Sequence, residues 1–315
     1  MKKFLLLLSS TLLFGLSHTT IKYKKGYISK IAYNKTYLIA ALEEGKIVIK
    51  NFKTLKTNQT ISMPKIHDFM GDLIPMPVFS VDISPDKAHI LILTEGENGK
   101  RELFIYDITS KKLSHIFTSK KTLMKARFVT KNTILFGLLS DEVALYDLNK
   151  KNWVYQKQIG NYVFSTFAIN DKKNKVVIGD ESGNVKIVNI KNGKKITTIK
   201  GFNKDKTLSL DYKKNFIINA SSDMRVAIYN EKGTEKLNLK TDFLPYGAAL
   251  SPDIKSFAIQ YNEKNDIKVF DFNKKVLYTL HGHTMALNGI KYLNENTIIS
   301  YSPAEIIIWK LKDEK

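Results

Sequence analysis

The chain has 315 residues, 43% of them hydrophobic and 25% charged, a balance that suits a folded globule rather than a disordered tail. It has no cysteine, which excludes disulfides, thiolate metal sites, covalent haem attachment, lipid attachment through a thiol and a cysteine nucleophile. The net charge is +20, yet only Arg101, Arg127 and Arg225 are arginines and the lysines are scattered along the chain. Without an arginine cluster to read bases, nucleic acid is not an expected partner.

Lys2 and Lys3 open the chain, and leucine and phenylalanine dominate the stretch from Phe4 to Leu16. Gly15 and Ser17 are small residues at the −3 and −1 positions of a cut after Ser17. This is the grammar of a cleavable secretory leader, so residues 1–17 are expected to be a signal peptide and residues 18–315 an exported, periplasmic protein. The apolar run is shorter than the roughly 20 residues a membrane-spanning helix needs, and no later segment is a candidate transmembrane span.

From residue 47 onward a repeat sets in. A short apolar strand ends in an aromatic or aliphatic residue followed by Asp, Asn or Lys: Lys50-Asn51, Tyr106-Asp107, Tyr146-Asp147, Val188-Asn189, Tyr229-Asn230, Phe270-Asp271 and Trp309-Lys310. The intervals are 56, 40, 42, 41, 41 and 39 residues. Before each such strand stands a second apolar run, such as "YLIAAL" or "TILFGLL", and before that a third, such as "VFSVDISPD" or "YGAALSPD". A fourth, as in "ITTIK", follows. Short runs rich in Ile, Val, Phe and Tyr, punctuated by Gly, Asn, Asp and Pro, are strand signals. Four strands in about forty residues is the period of a β-propeller blade.

The first interval alone is long. Its surplus falls between Met63 and Phe79, "MPKIHDFMGDLIPMPVF", and carries His67, Asp68, Phe69, Met70 and Asp72. Two readings stand open for this loop: a partner-docking surface formed by those five residues, or a plug packed against its neighbours. One His and two carboxylates without a second His or a repeated ligand spacing make a poor metal set, so no metal and no cofactor are expected. Glu43-Glu44 and Asp141-Glu142 occupy turn positions and read as solvated acids rather than as an acid/base pair. Lysines 120, 121, 204 and 206, interleaved with Tyr162, Phe202, Phe243 and Tyr246, fall in loops of the same face and suit a partner with an acidic rim.

The closing segment, "LHGHTMALNGIKYLNENTIISYSPAEIIIW", resembles a WD40 repeat, with Gly282-His283 at the GH position and Trp309 at the Trp position. "NFIINASSDMRVAIYN" is similar to the same motif, with Asp223 in its turn. The resemblance implies a blade lock that joins His, Ser or Thr, Asp and Trp. Here it is spread over His283, Ser302, Trp309 and Asp223, with Ala304 and Glu305 where the last blade needs its Asp, so packing is expected to replace the lock in most blades. The expected fold is all-β: a seven-bladed, WD40-like β-propeller forming one domain. After Trp309 too few residues remain for an outer strand, and "TTIKYK" from Thr19 to Lys24 matches the fourth strand "ITTIKG" of an inner blade. The N-terminal strand is therefore expected to close the last blade.

No phosphate loop, nucleophile elbow or His-Glu-x-x-His motif is present, so the protein is not expected to be an enzyme. "HDFMGD" ahead of "FSVD", in an exported lysine-rich propeller, resembles the propeller accessory proteins of bacterial periplasmic nitrate reductase systems (the NapL family). That resemblance implies a non-enzymatic periplasmic scaffold serving nitrate reductase subunits, and the chain is expected to act as a monomer. A general envelope scaffold and a propeller enzyme, of the quinoprotein dehydrogenase or lactonase type, remain the alternatives.

Overall fold

The computed structural model describes residues 16–23 and 26–311. Seven four-stranded antiparallel sheets form seven blades: residues 28–62, 78–119, 123–158, 164–199, 207–240, 248–280, and finally 289–310 together with Ser17–Lys22. In the first six, the strands are laid down in sequence order from the axis outward, and inner strands of neighbouring blades meet around that axis.

The strand patterns follow from this stacking. The second and third strands of a blade are covered on both faces by the adjoining blades, so they read as unbroken apolar runs, as in Tyr37–Leu42 and His89–Glu95. Outer strands face water on one side and are mixed, as Asn152–Gln158 is. Each blade-to-blade seam has its own apolar cluster; in one, Trp153 meets Phe117, Phe136 and Tyr146 at ring-centroid distances of 5.5, 5.4 and 5.1 Å. Such aromatic pairs add about 0.5–1.5 kcal/mol each beyond their burial.

Tight turns reuse one chemistry. Ser84 Oγ bonds Asp86, the Lys87 amide donates to Ser84 O at 2.9 Å, and Ser251, Asp253 and Ile254 repeat the arrangement. Proline at the second turn position presets φ for it.

The ring closes where the sequence implied. Ser17–Lys22 pairs antiparallel with Glu305–Lys310, setting His18 opposite Trp309 and Lys22 opposite Glu305. The strand begins two residues before the expected Thr19 and ends at Lys22; Lys24 lies outside the described residues. Ile21 sinks into a cluster shared by blades seven and one, alongside Ile28, Leu38 and Ile306. One sheet thus holds both ends of the described chain, and Glu305–Lys310 is no longer its edge. The expected leader, residues 1–17, lies outside the described residues except for Leu16 and Ser17. Among the described residues no helix is long and apolar enough to cross a membrane.

Candidate functional site

The residues that break the repeat fold as a two-stranded hairpin, Lys65–His67 against Leu73–Pro75, between blades one and two. Its root is core. Met63, Ile66 and Met76 are buried in the same cluster as Ile61, Val78 and Ile90. Its tip is bare: Phe69 is 97% exposed, Met70 74% and Leu73 56%.

Local polar bonds hold that tip in shape. Asp68 Oδ1 accepts from the amides of Met70 at 2.8 Å and Asp72 at 3.0 Å, and the Asp68 amide donates to Asp72 O. Gly71 takes φ +86°, a left-handed conformation that a side chain would strain. Outside the tip, Glu97 of the 3-10 turn Glu97–Gly99 in blade two reaches the hairpin. Its Oε1 accepts from the His67 amide at 3.1 Å and lies 3.2 Å from His67 Nδ1. Those His67 bonds hold the exposed Glu97 carboxyl below the usual carboxylate range. The hairpin therefore divides the five candidate residues. His67 and Asp68 fasten the loop, Asp72 lends its backbone, and Phe69 and Met70, with Leu73 beside them, are what the loop presents.

The neighbouring loops separate in the same way. Lys120, Lys121, Lys204 and Lys206 are exposed, and so is Tyr162. Phe202 instead stacks on Tyr229 at 5.0 Å, and Phe243 sits 6.3 Å from Tyr246, which lines the axial cavity.

In blade seven the polar groups converge. Ser300 Oγ bonds both His283 Nε2, at 2.7 Å, and Trp309 Nε1, at 2.8 Å. Glu305, fully buried, receives His283 Nδ1 at 3.2 Å, Ser302 Oγ at 2.9 Å and the Thr284 amide at 2.9 Å. The acid missing from the turn is supplied one residue later, by Glu305. Asp223 is elsewhere: in the turn of blade five, its carboxylate accepts from the amides of Lys204 and Arg225.

One reading is corrected. Asp141 is not a solvated turn acid but fully buried, with its carboxylate 2.8 Å from Lys186 Nζ, which also bonds Asp180. Burial pushes the Asp141 carboxyl up and the Lys186 amine down, against the pull of their own ion pair. Its partner Glu142 keeps to the surface side, bonding Gln156 at 2.6 Å. Among the described residues no group of three or more His, Asp or Glu side chains could hold a metal ion.

No protein-family model matches the chain, and no curated protein matches it. Solved structures do. The β-propeller domain of Cps50 (Swd1) from Myceliophteria thermophila superposes with a TM-score of 0.72, covering 93% of this chain and 99% of that domain at 11% identity. The chain is a seven-bladed, WD40-like β-propeller. At that identity the likeness speaks for the fold alone, and the propeller shares it with many chains: 1812 match. Function has to be argued from this propeller's own departures from the common plan.

Proposed function

We propose that the propeller is a non-enzymatic docking platform whose hairpin tip, Phe69, Met70 and Leu73, inserts into an apolar pocket of a protein partner. One observation carries the reading: a phenylalanine 97% exposed on a loop whose turn is fixed by the Asp68 hydrogen bonds and the His67–Glu97 contact. Burying such a side chain is worth about 1.5–3 kcal/mol, and a preformed loop loses little entropy on docking. The exposed lysines of the same face favour a partner whose pocket has an acidic rim. The axial lining weighs against the enzyme alternative. It offers Asp82 and Asp211 as acids, and both are engaged: Asp82 by the Phe128 amide at 2.7 Å, Asp211 by Lys291 Nζ at 2.6 Å.

The compartment in this proposal is the periplasm, the acting species is a monomer, and the first partner to test is a subunit of a periplasmic nitrate reductase. Compartment and partner rest on the leader grammar and on the resemblance of "HDFMGD". The experiment uses protein recovered from the periplasmic fraction, with an N-terminus expected near His18, titrated calorimetrically against the purified reductase. Replacing Phe69 and Met70 together by Ala should weaken binding by about 2–4 kcal/mol while circular dichroism stays unchanged. A folded double variant that binds as the wild type does would remove the hairpin as the docking site. If the reductase does not bind but another purified envelope protein does, through the same two residues, the general-scaffold reading replaces the nitrate one.

A further inference from the structure

The axis of the propeller holds more cations than the acids beside them balance. A register shift between first and second strands recurs in blades one to five, between Ile28 and Lys30, Val78 and Ser80, Leu123 and Lys125, and onward. It brings equivalent positions of the inner strands to one level. Asp82, Arg127, Asp211 and Lys291 pair with Leu91, Leu135, Ile218 and Ile299, the same site in four blades. Lys30 and Lys125, opposite Ala41 and Gly137, form a second level just above. Residues more than forty positions apart in the chain are thus gathered around a cavity of about 410 Å³, whose wall includes Lys125, Arg127, Lys291, Asp82 and Asp211.

The pairing leaves cations over. Lys291 takes Asp211, and Asp82, which also accepts the Phe128 amide, has Arg127 as the nearest acting charge. Lys125 Nζ meets only neutral oxygens, Thr166 Oγ1 at 2.8 Å and Phe167 O at 2.7 Å. Arg127 uses one guanidinium nitrogen, Nη1, on Ser80 Oγ, Val81 O and Ala126 O, so its other N–H groups have no protein partner among the described residues. Lys30 has neither an ion pair nor a side-chain hydrogen bond among them. A partly buried cation without a counter-charge costs several kcal/mol, so Lys30 and Lys125, left over once Asp82 and Asp211 are set against Arg127 and Lys291, demand a reason.

We propose that this axial cavity binds a small multivalent oxyanion, phosphorylated or polycarboxylated, with Arg127 and Lys125 of its wall, and Lys30 at the level of Lys125 just behind that wall, as its counter-charges. Arg127 offers the planar N–H edge that matches a phosphate or carboxylate, and Lys125 and Lys30 add point charges. Tyr33, Tyr246 and Tyr301 line the same space. Burial pushes the Tyr301 phenol up to about 12, so it stays protonated and able to donate. The volume suits an organic anion of metabolite size better than a lone phosphate. The unliganded protein shows the strain such a site would carry. Burial, then Arg127, Lys291 and Lys30, push the Lys125 amine well below its ordinary value, and burial with Arg127 lowers Lys30. An anion would relieve both.

The test uses the mature chain without any protein partner, so its outcome is separate from that of the docking proposal. Thermal midpoints and calorimetric titrations are recorded with pyrophosphate and with citrate, against sodium chloride of equal ionic strength. A saturable stabilisation by pyrophosphate or citrate is expected, and whichever acts more strongly identifies the head group as phosphate or carboxylate. Arg127→Gln, Lys125→Met and Lys30→Met should each weaken binding at least tenfold. Lys30→Met is the safest of the three, since Lys30 has no hydrogen bond to lose, and without anion it should melt at or above the wild-type temperature. Lys120→Ala with Lys121→Ala, on the surface, should leave the affinity unchanged. Absence of any saturable response, or wild-type affinity in folded Lys30→Met and Arg127→Gln, overturns the proposal.

Discussion

Blade seven and the seam between blades three and four solve one problem with different chemistry. Each must fasten the turn between second and third strands to a neighbouring segment through buried polar groups. Blade seven does so with a chain of hydrogen bonds through His283, Ser300, Trp309, Ser302, Thr284 and Glu305 that holds one formal charge. The other seam uses three charges, Asp141, Lys186 and Asp180, whose side chains are at most 5% exposed. There the second oxygen of Asp141 is buried without a partner, and a Cβ on Gly160 would come within 2.1 Å of the first. The hydrogen-bonded lock spreads its strength over many modest bonds. The ionic one concentrates it in one lysine, because removing a single member strands like charges in a dry place. Polar cores of equal burial thus differ in how they fail.

The largest effect should come from blade seven, but through its backbone rather than its lock. Deleting residues 18–22 removes the strand paired with Glu305–Lys310, uncovers the blade's edge and takes Ile21 out of the seam with blade one. A thermal midpoint lower by roughly 10 °C or more is expected, with aggregation of the open edge. An unchanged midpoint would mean that the strand decorates the ring rather than closes it. Next comes Lys186→Met, which leaves Asp141 and Asp180 facing each other. Its expected cost is about 3–5 kcal/mol in urea unfolding at pH 7. A cost below about 1 kcal/mol would show that the two carboxylates find another cation or a proton, and the contrast between the two seams would collapse.

How far the sequence reveals these features depends on the distance over which each is written. Blade count and ring closure are readable because the Tyr106-Asp107 type of strand end recurs at a fixed period and "TTIK" occurs twice. The hairpin shows itself as a break in that period. Glu305 reads as a departure from the motif, because motif matching looks for Asp in the turn, whereas the longer Glu side chain reaches the same place from the strand. Asp141 looks like a turn acid because its burial comes from Lys186, 45 positions further on. The axial cations are hidden for a similar reason. The one local hint is a charged pair on an apolar inner strand, Lys125 and Arg127 in "KARF". Which blades supply their counter-charges follows only from the register of seven separate strands.

The smallest effect sharpens the comparison most, because it separates the two seams by pH. Burial lowers the His283 imidazole to about 4, even though Glu305 pulls it upward. In the unfolded chain the same group titrates near 6.5. Between these values the unfolded state binds the proton and the folded state does not. The contribution of His283 is therefore fully present above about pH 6.5 and lost as the pH falls toward 4, a change of about 3 kcal/mol across the window. Burial also acts on Glu305, upward, but the Thr284 and Ser302 hydrogen bonds prevail and hold it below the usual carboxylate range, so its own loss comes at still lower pH. Asp141 behaves in the opposite sense. With its carboxyl raised in the folded state, it favours folding more as the pH falls. Total stability mixes the two, so the quantity to measure is the difference between wild type and His283→Gln in urea midpoints from pH 7.5 to 4.5. That difference should shrink steadily as the pH drops, because the glutamine variant has no proton to take up. A difference that stays flat over the window would mean that the folded imidazole titrates normally; one that grows as the pH drops would mean that it is charged against Glu305, and that blade seven, like the seam between blades three and four, is held by charge.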